Sequence, residues 1–282
     1  HRQALSGLAR PYWTISVSLA IGMIPEFRTF LLFPLFLFSK NLVVTYFPLE
    51  THLINKIAQK EIITREITSR YLNTYKNLPV SELSKLANSK MFFHFGLDVE
   101  KQYAQILLRH NPNLVIVDIS SNVNKIGNNP YIWTDPLNLR AVAKNIYDAF
   151  VMYDKNKESY YKENYEKFLD EIDETFLKIK QRLNNSELQY VYVFDDFWEY
   201  FAKRFGITTV FRERKYLSVT EILQANEFTK DKNIKKLLFS KDEKQDFIFS
   251  FTKNLNINPI ENDIFNDSWQ LNILNFVEHI SQ

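Results

Sequence analysis

The chain contains no cysteine, which excludes disulfides, thiolate metal sites and cysteine nucleophiles together. Glycine is scarce as well, five in 282 residues. Neither common type of Gly-rich phosphate loop is present, so nucleotide hydrolysis on a P-loop is out. No sign of charge dominates: 35 basic residues against 33 acidic leave a formal net charge of +2. The charges are interspersed, as on a solvated globular surface, and this balance argues against a nucleic-acid partner. A Ser elbow, a zinc-protease helix and paired catalytic carboxylates in a recognisable loop are all missing, so the chain reads as a non-enzyme. No single apolar run reaches the roughly 20 residues that a membrane-crossing helix needs.

The amino terminus carries two shorter apolar runs, SVSLAIGMI at 16–24 and FLLFPLFLF at 30–38, separated by Pro25, Glu26 and Arg28. The second has the length and basic flank of a secretory signal's core. Residues 1–40 are therefore expected to be an upstream extension plus a signal or anchor segment. Export to the periplasm or cell exterior follows, with membrane association if residues 15–38 are retained.

From Asn41 onward short apolar strands alternate with helical periodicity. NLVVTYF (41–47), KMFFHFG (90–96) and NLVIVDIS (113–120) read as strands. LETHLINKIAQ (49–59), SELSKLAN (81–88, with Ser81 as N-cap) and DVEKQYAQILLRH (98–110) read as helices. A glycine-poor, charge-dense stretch follows from Asp135. Its second segment, about 157–183, would be some 40 Å long at 1.5 Å per residue. Beyond it the alternation restarts with QYVYVFD, FWEYFAKRFG ending on Gly206, ITTVF, VTEILQANEFTKD, KKLLFS, QDFIFSFTKNL, NPIEND and a closing amphipathic helix. Strands alternating with helices imply parallel sheets with helices on their faces. The expected fold is α/β: an N-terminal lobe over 41–156, a linking helix over 157–186 and a C-terminal lobe over 187–282.

A ligand in such an architecture belongs between the lobes, at the carboxyl ends of strands. Three places fit: Tyr131 in the loop ahead of the first long helix, Asp195 and Asp196 after the YVYVF strand, and Asp263 after the last strand. Asp195 or Asp196 also suits a helix N-cap, and Glu199 one turn on is a reserve ligand. The acid pairs Asp170/Glu171 and Asp173/Glu174 read as the solvated face of the long helix. Of the five histidines, His1 and His279 are terminal, His110 sits at a helix end and His94 is a core residue within a strand. His52, after the first strand, is the one placed near the cleft.

The order and spacing of several motifs resemble the solute-binding proteins of zinc and manganese ABC transporters. Gly96-Leu97-Asp98-Val99-Glu100 matches that family's Gly-x-x-x-Glu element. Pro130-Tyr131-Ile132-Trp133-Thr134-Asp135-Pro136 matches Pro-His-x-Trp-x-Asp-Pro, and Tyr161 through Phe168 matches Tyr-x-x-Asn followed by an aromatic. Asp195-Asp196-Phe197-Trp198-Glu199-Tyr200-Phe201, running on to Phe205-Gly206, resembles His-Asp-Ala-Phe-x-Tyr-Phe ending in Tyr-Gly. The resemblance covers about 42–280. It implies two parallel-sheet lobes on a rigid helix, small lobe movements and a metal ion, zinc or manganese, held in the cleft. It further implies a monomer that delivers this ion to a membrane permease. The family's metal site uses three histidines and one carboxylate. Here Tyr131 and Asp195 stand at two histidine positions, the first ligand falls near Asn73 or Thr74, and Asp263 keeps the carboxylate. Tyr131, Asp195 and Asp263 are thus the candidate metal ligands, an oxygen set that suits harder cations than zinc. The competing reading is the same scaffold without metal, binding another solute or a partner protein.

Overall fold

Short apolar runs become strands and the amphipathic segments between them become helices, in a computed structural model that describes residues 41–282. The signal or anchor segment expected within 1–40 lies outside the described residues. In the first half, β1 (Asn41–Thr45), β2 (Ile62–Glu66), β3 (Met91–His94) and β4 (Val115–Asp118) form a parallel sheet in the order β2-β1-β3-β4. Every residue of β3 is buried, as expected where helices cover both faces. The helices are α1 (Pro48–Ala58), α2 (Val80–Ala87), α3 (Asp98–His110) and α4 (Asn138–Tyr153). Strand β2 went unassigned in the sequence because its residues Ile62-Ile63-Thr64-Arg65-Glu66 are half polar; it is an edge strand with alternating exposure. Ser81 lies inside α2 rather than at its cap, where Pro79 stands with extended backbone. Proline fixes φ and cannot donate, so the helix begins one residue after it.

The second half repeats the topology. β5 (Tyr190–Val193), β6 (Thr208–Phe211), β7 (Lys236–Phe239) and β8 (Asn258–Glu261) are parallel in the order β6-β5-β7-β8. They alternate with α6 (Glu199–Phe205), α7 (Val219–Asp231), α8 (Gln245–Leu255) and α9 (Trp269–Ser281). Gly206 closes α6 in the left-handed conformation, φ 72°, a cap that glycine adopts without a Cβ penalty.

The long helix α5 (Glu158–Asn184, 27 residues) joins the halves. Its buried stripe of Tyr161, Asn164, Phe168, Ile172, Thr175 and Ile179 recurs every three to four residues, the spacing of one helix face. Asn164 is the polar member. Its Nδ2 donates to Ile57 O at 3.0 Å, and its Oδ1 accepts from Gln59 Nε2 at 3.0 Å. It thereby satisfies a carbonyl at the end of α1 that has no helical partner. Glu171 and Asp173, expected on a solvated face, are half-buried in ion pairs with Lys56 of α1 (2.6 Å) and Arg140 of α4 (2.5 Å). Acid pairs on adjacent positions look like a surface, but α1 and α4 bring cations to them. Asn164→Leu is expected to cost about 1–3 kcal/mol, because it leaves a buried carbonyl and an amide unpaired; the urea midpoint measures it.

One hydrophobic cluster runs from the N-terminal sheet under α4 and α5 to Trp198, Phe201, Ile264, Trp269 and Phe276 of the second half. The other face of the second sheet packs separately, around Tyr192, Phe194, Leu237 and Phe251. No described helix is long and apolar enough to cross a membrane.

Candidate functional site

The two sheets leave a cleft of about 600 Å³ at the carboxyl ends of their strands. The segment Ser69–Asn73 after β2 lines one wall, while Ser240–Asp242 after β7 and Asp263–Asp267 after β8 line the other. This is where parallel sheets place ligands, because the loops there vary freely over a fixed scaffold. Across the cleft Tyr71 stacks on Phe265, ring centroids 3.8 Å apart and planes 6° from parallel. Phe197 also reaches the cleft and meets Phe265 edge-on at 5.7 Å.

The stretch Pro130–Pro136 fastens the seam behind these rings. Trp133 is 1% exposed. Its Nε1 donates to Ile264 O at 2.8 Å, and its own carbonyl accepts from Trp269 Nε1 at 3.1 Å. Asp135 is buried and takes a two-pronged contact from Arg204 of α6, with Nε at 2.8 Å and Nη2 at 2.7 Å. Asp135 and Pro136 do not begin a helix directly; α4 starts at Asn138, and Asp135 Oδ1 accepts from Leu137 N–H at 2.9 Å. Asn129 completes the fastening, donating to Asp196 O at 2.8 Å and to Glu199 Oε2 at 2.9 Å. Glu199, the reserve ligand, is therefore engaged in joining the halves.

Tyr131 packs among rings: Phe197 at 4.7 Å, Trp133 at 5.6 Å and Phe265 at 5.8 Å. Burial, with the negative charges of Asp196 and Asp195 adding to it, pushes its phenol above the usual tyrosine range. It stays a neutral hydroxyl at physiological pH. Asp195 does not cap α6, which starts at Glu199; its Oδ1 instead accepts from Phe197 N–H at 3.1 Å, a local turn. The other carboxylate oxygen pairs with Arg214 at 3.1 Å, and Arg214 is itself held by Glu243. Burial pushes the Asp195 carboxyl up to about 6, against the pull of the Phe197 N–H and of Arg214. Asp263 lines the cleft and is ion-paired with Lys241, while its Oδ1 accepts from Phe265 N–H at 3.0 Å.

Of the three candidate ligands, then, Asp263 is on the cleft wall, opposite Asn73. Tyr131 and Asp195 are not among the residues lining it; one supports the aromatic rings and the other is turned to Arg214. Among the described residues no group of three or more His, Asp or Glu converges so as to hold a metal ion. His52 is on α1 and does not line the cleft, and burial lowers its pKa. His94 is buried in β3 and neutral for the same reason. Sequence reading missed Lys241, Arg214 and the ring set of Tyr71, Phe197 and Phe265. Only Phe197 carried a signal, standing where the resembling motif has alanine.

Two parallel-sheet lobes on one long helix, with a cleft at the strand ends, define the class of two-lobed solute-binding proteins with a rigid backbone helix. The chain belongs to the family described as ZnuA, zinc-uptake complex component A, periplasmic, whose model matches residues 43–268. That family is one of non-enzymatic transport components. The fold is similar to a crystal structure of ZnuA, with 16% identity over 86% of this chain and 98% of that one and a TM-score of 0.74. It is likewise similar to the cadmium-bound periplasmic metal-binding protein of Candidatus Liberibacter asiaticus: 15% identity, 86% and 100% coverage, TM-score 0.73. The metal-dependent lipoprotein YcdH of Bacillus subtilis is a third: 13% identity, 85% and 96% coverage, TM-score 0.72. No curated protein matches the sequence. At these identities the likeness to solved structures shows the fold.

Proposed function

We propose that this chain is the exported solute-binding component of an ABC uptake system, taking a divalent metal ion into the interlobe cleft and handing it to the permease. One observation carries the reading: Asp263 of the second half and Asn73 of the first face the same cleft. The donors on offer are oxygens, from Asp263, Asn73 and, if they turn inward, Asp195 and Tyr131. Carboxylate, carbonyl and phenol oxygens suit manganese or another hard cation better than zinc. A lobe pair stitched by Trp133, Asp135 and Asn129 would admit its cargo with small movements.

The second reading, a scaffold that no longer takes a metal, has its own support. Lys241 already neutralises Asp263 and Arg214 already neutralises Asp195, so a metal ion must displace an ammonium and a guanidinium. Titration calorimetry with manganese and zinc after chelation, with elemental analysis of the refilled protein, separates the two. The transport reading expects about one manganese per chain and at least ~10-fold weaker binding in Asp263→Ala. It also expects Lys241→Met to bind manganese more tightly, by up to about fivefold, since the competing pair is partly exposed and weak. Absence of uptake in both the parent and Lys241→Met selects the second reading.

A further inference from the structure

Two glutamates in the first half have no exposed surface: Glu50 in the first turn of α1 and Glu100 in the first turn of α3. The two carboxyls meet at the turn after β3, where Glu50 takes the Phe95 N–H and Glu100 the Leu97 N–H two residues on. Their four oxygens are unequally supplied with donors. Glu50 Oε2 accepts from the backbone N–H of Tyr46 at 2.6 Å and of Phe47 at 3.3 Å, and Glu50 Oε1 accepts from Phe95 N–H at 3.3 Å. Glu100 Oε2 accepts from Leu97 N–H at 2.8 Å. Glu100 Oε1 alone is buried without a donor.

Among the described residues, the one basic atom within 4.0 Å of either carboxyl is His94 Nδ1, at 4.0 Å from Glu100 Oε2. Burial keeps that imidazole neutral; Lys101 and Lys125 act in the same direction, and Asp118 of β4 opposes them. The phenols of Tyr46 and Tyr71 also face the pair, and burial holds both in the neutral form. Two adjacent negative charges in a core of low dielectric repel strongly and are stripped of water. Carboxyls in that situation retain a proton between them. It belongs on the one oxygen that lacks a donor.

We propose that Glu50 and Glu100 are a carboxylate and a carboxylic acid sharing one proton, held on Glu100 Oε1 and donated to Glu50, and that this pair positions the aromatic wall of the cleft. The three N–H groups that Glu50 gathers belong to the loops leaving β1 and β3. Those loops carry Phe47 and Phe95, which pack on Trp133 at 6.2 and 4.4 Å. Phe47 also meets Tyr71 at 5.6 Å and Phe265 at 5.9 Å, the two rings stacked across the cleft. Loss of the proton sets two charges against each other at the point where both loops are tied. The link to solute uptake rests on the cleft reading above; the shared proton does not.

The direction of the pH dependence follows. Burial pushes Glu100 up to about 7 and Glu50 well above the usual carboxylate range, whereas the unfolded chain releases both protons near 4.5. Between those values the folded state binds more protons than the unfolded one, so stability falls as pH rises. The contribution is fully present below about 4.5 and falls as pH rises, through about 7 for Glu100.

Infrared spectroscopy of the wild-type chain, melting curves and amide protection from pH 5 to 8 test this without any solute. A carbonyl stretch of a protonated carboxyl is expected at pH 5, fading toward pH 8, and weaker in Glu100→Gln, where Asp195 still contributes. Protection of the Tyr46, Phe47 and Phe95 amides is expected to drop about tenfold or more over that range. Glu100→Gln reproduces the acid form, with Nε2 donating to Glu50 and the carbonyl accepting from Leu97. It should fold, level the amide-protection profile and make the melting profile shallower than the parent's, leaving the slope that Asp195 adds below about 6. Glu50→Gln places an amide against N–H groups that already donate, and should melt lower at every pH. A wild-type spectrum without the protonated band at pH 5 overturns the proposal, as does a Glu100→Gln profile that declines like the parent. Failure to bind manganese would sink the transport reading and leave these outcomes unaltered.

Discussion

Trp133→Ala is expected to destabilise the protein by about 3–5 kcal/mol. The indole is 1% exposed and packs against Phe95, Phe47, Tyr131 and Phe265. Truncation removes a large buried ring and opens a cavity whose walls, strand ends of both sheets, are too well anchored to collapse. It also leaves Ile264 O without its donor. Trp133→Phe isolates that second loss, retaining most of the volume, and should cost about 1–2 kcal/mol. Urea unfolding gives both numbers. Because the ring bridges the halves, Trp133→Ala should also broaden the transition or lower its m-value as the halves begin to unfold separately. A loss under ~1 kcal/mol with unchanged slope would mean that the seam is carried elsewhere.

This sensitivity bears on what the sequence could disclose. Strands and helices were legible because periodicity reports burial: α3, α7 and α8 begin and end where their patterns do. Strand β2 was not, since an edge strand buries only one face and its Thr64 and Glu66 read as loop. The motif residues were legible as positions but less so as roles. Gly96 takes φ 87°, and Glu100 four residues on accepts from Leu97 N–H. Asn164 stitches α5 to α1, and Asp135 binds Arg204. The last two are fastenings that depend on partners 107 and 69 residues away, which no local pattern announces. The candidate ligands suffered most from this. A carboxylate after a strand looks the same whether it faces a cleft or a cation. Lys241 and Arg214, which decide that for Asp263 and Asp195, sit on neighbouring loops brought close only by the sheet.

Arg204→Ala should cost about 2–4 kcal/mol, more than its position on a short helix suggests. Its guanidinium grips both oxygens of Asp135, a carboxylate with a side chain only 6% exposed. Removing one partner of a buried pair strands the other charge, an effect of 3–5 kcal/mol where burial is complete. The Arg204 side chain is 37% exposed, so water can reach part of the vacated space, and the lower range follows. A double-mutant cycle with Asp135→Ala separates a pair from two independent losses, and a coupling of about 2 kcal/mol is expected. Asp135→Ala with Arg204→Ala should be less damaging than Arg204→Ala alone, because no unpaired carboxylate remains. Additive costs, with the double variant worse than either single one, would show that Arg204 acts through packing. The pair joins the loop before α4, in the first half, to α6, in the second. Uncoupling it should therefore raise hydrogen exchange in residues 129–137 and 199–205 together, while the outer face of the second sheet, around Tyr192 and Leu237, stays protected.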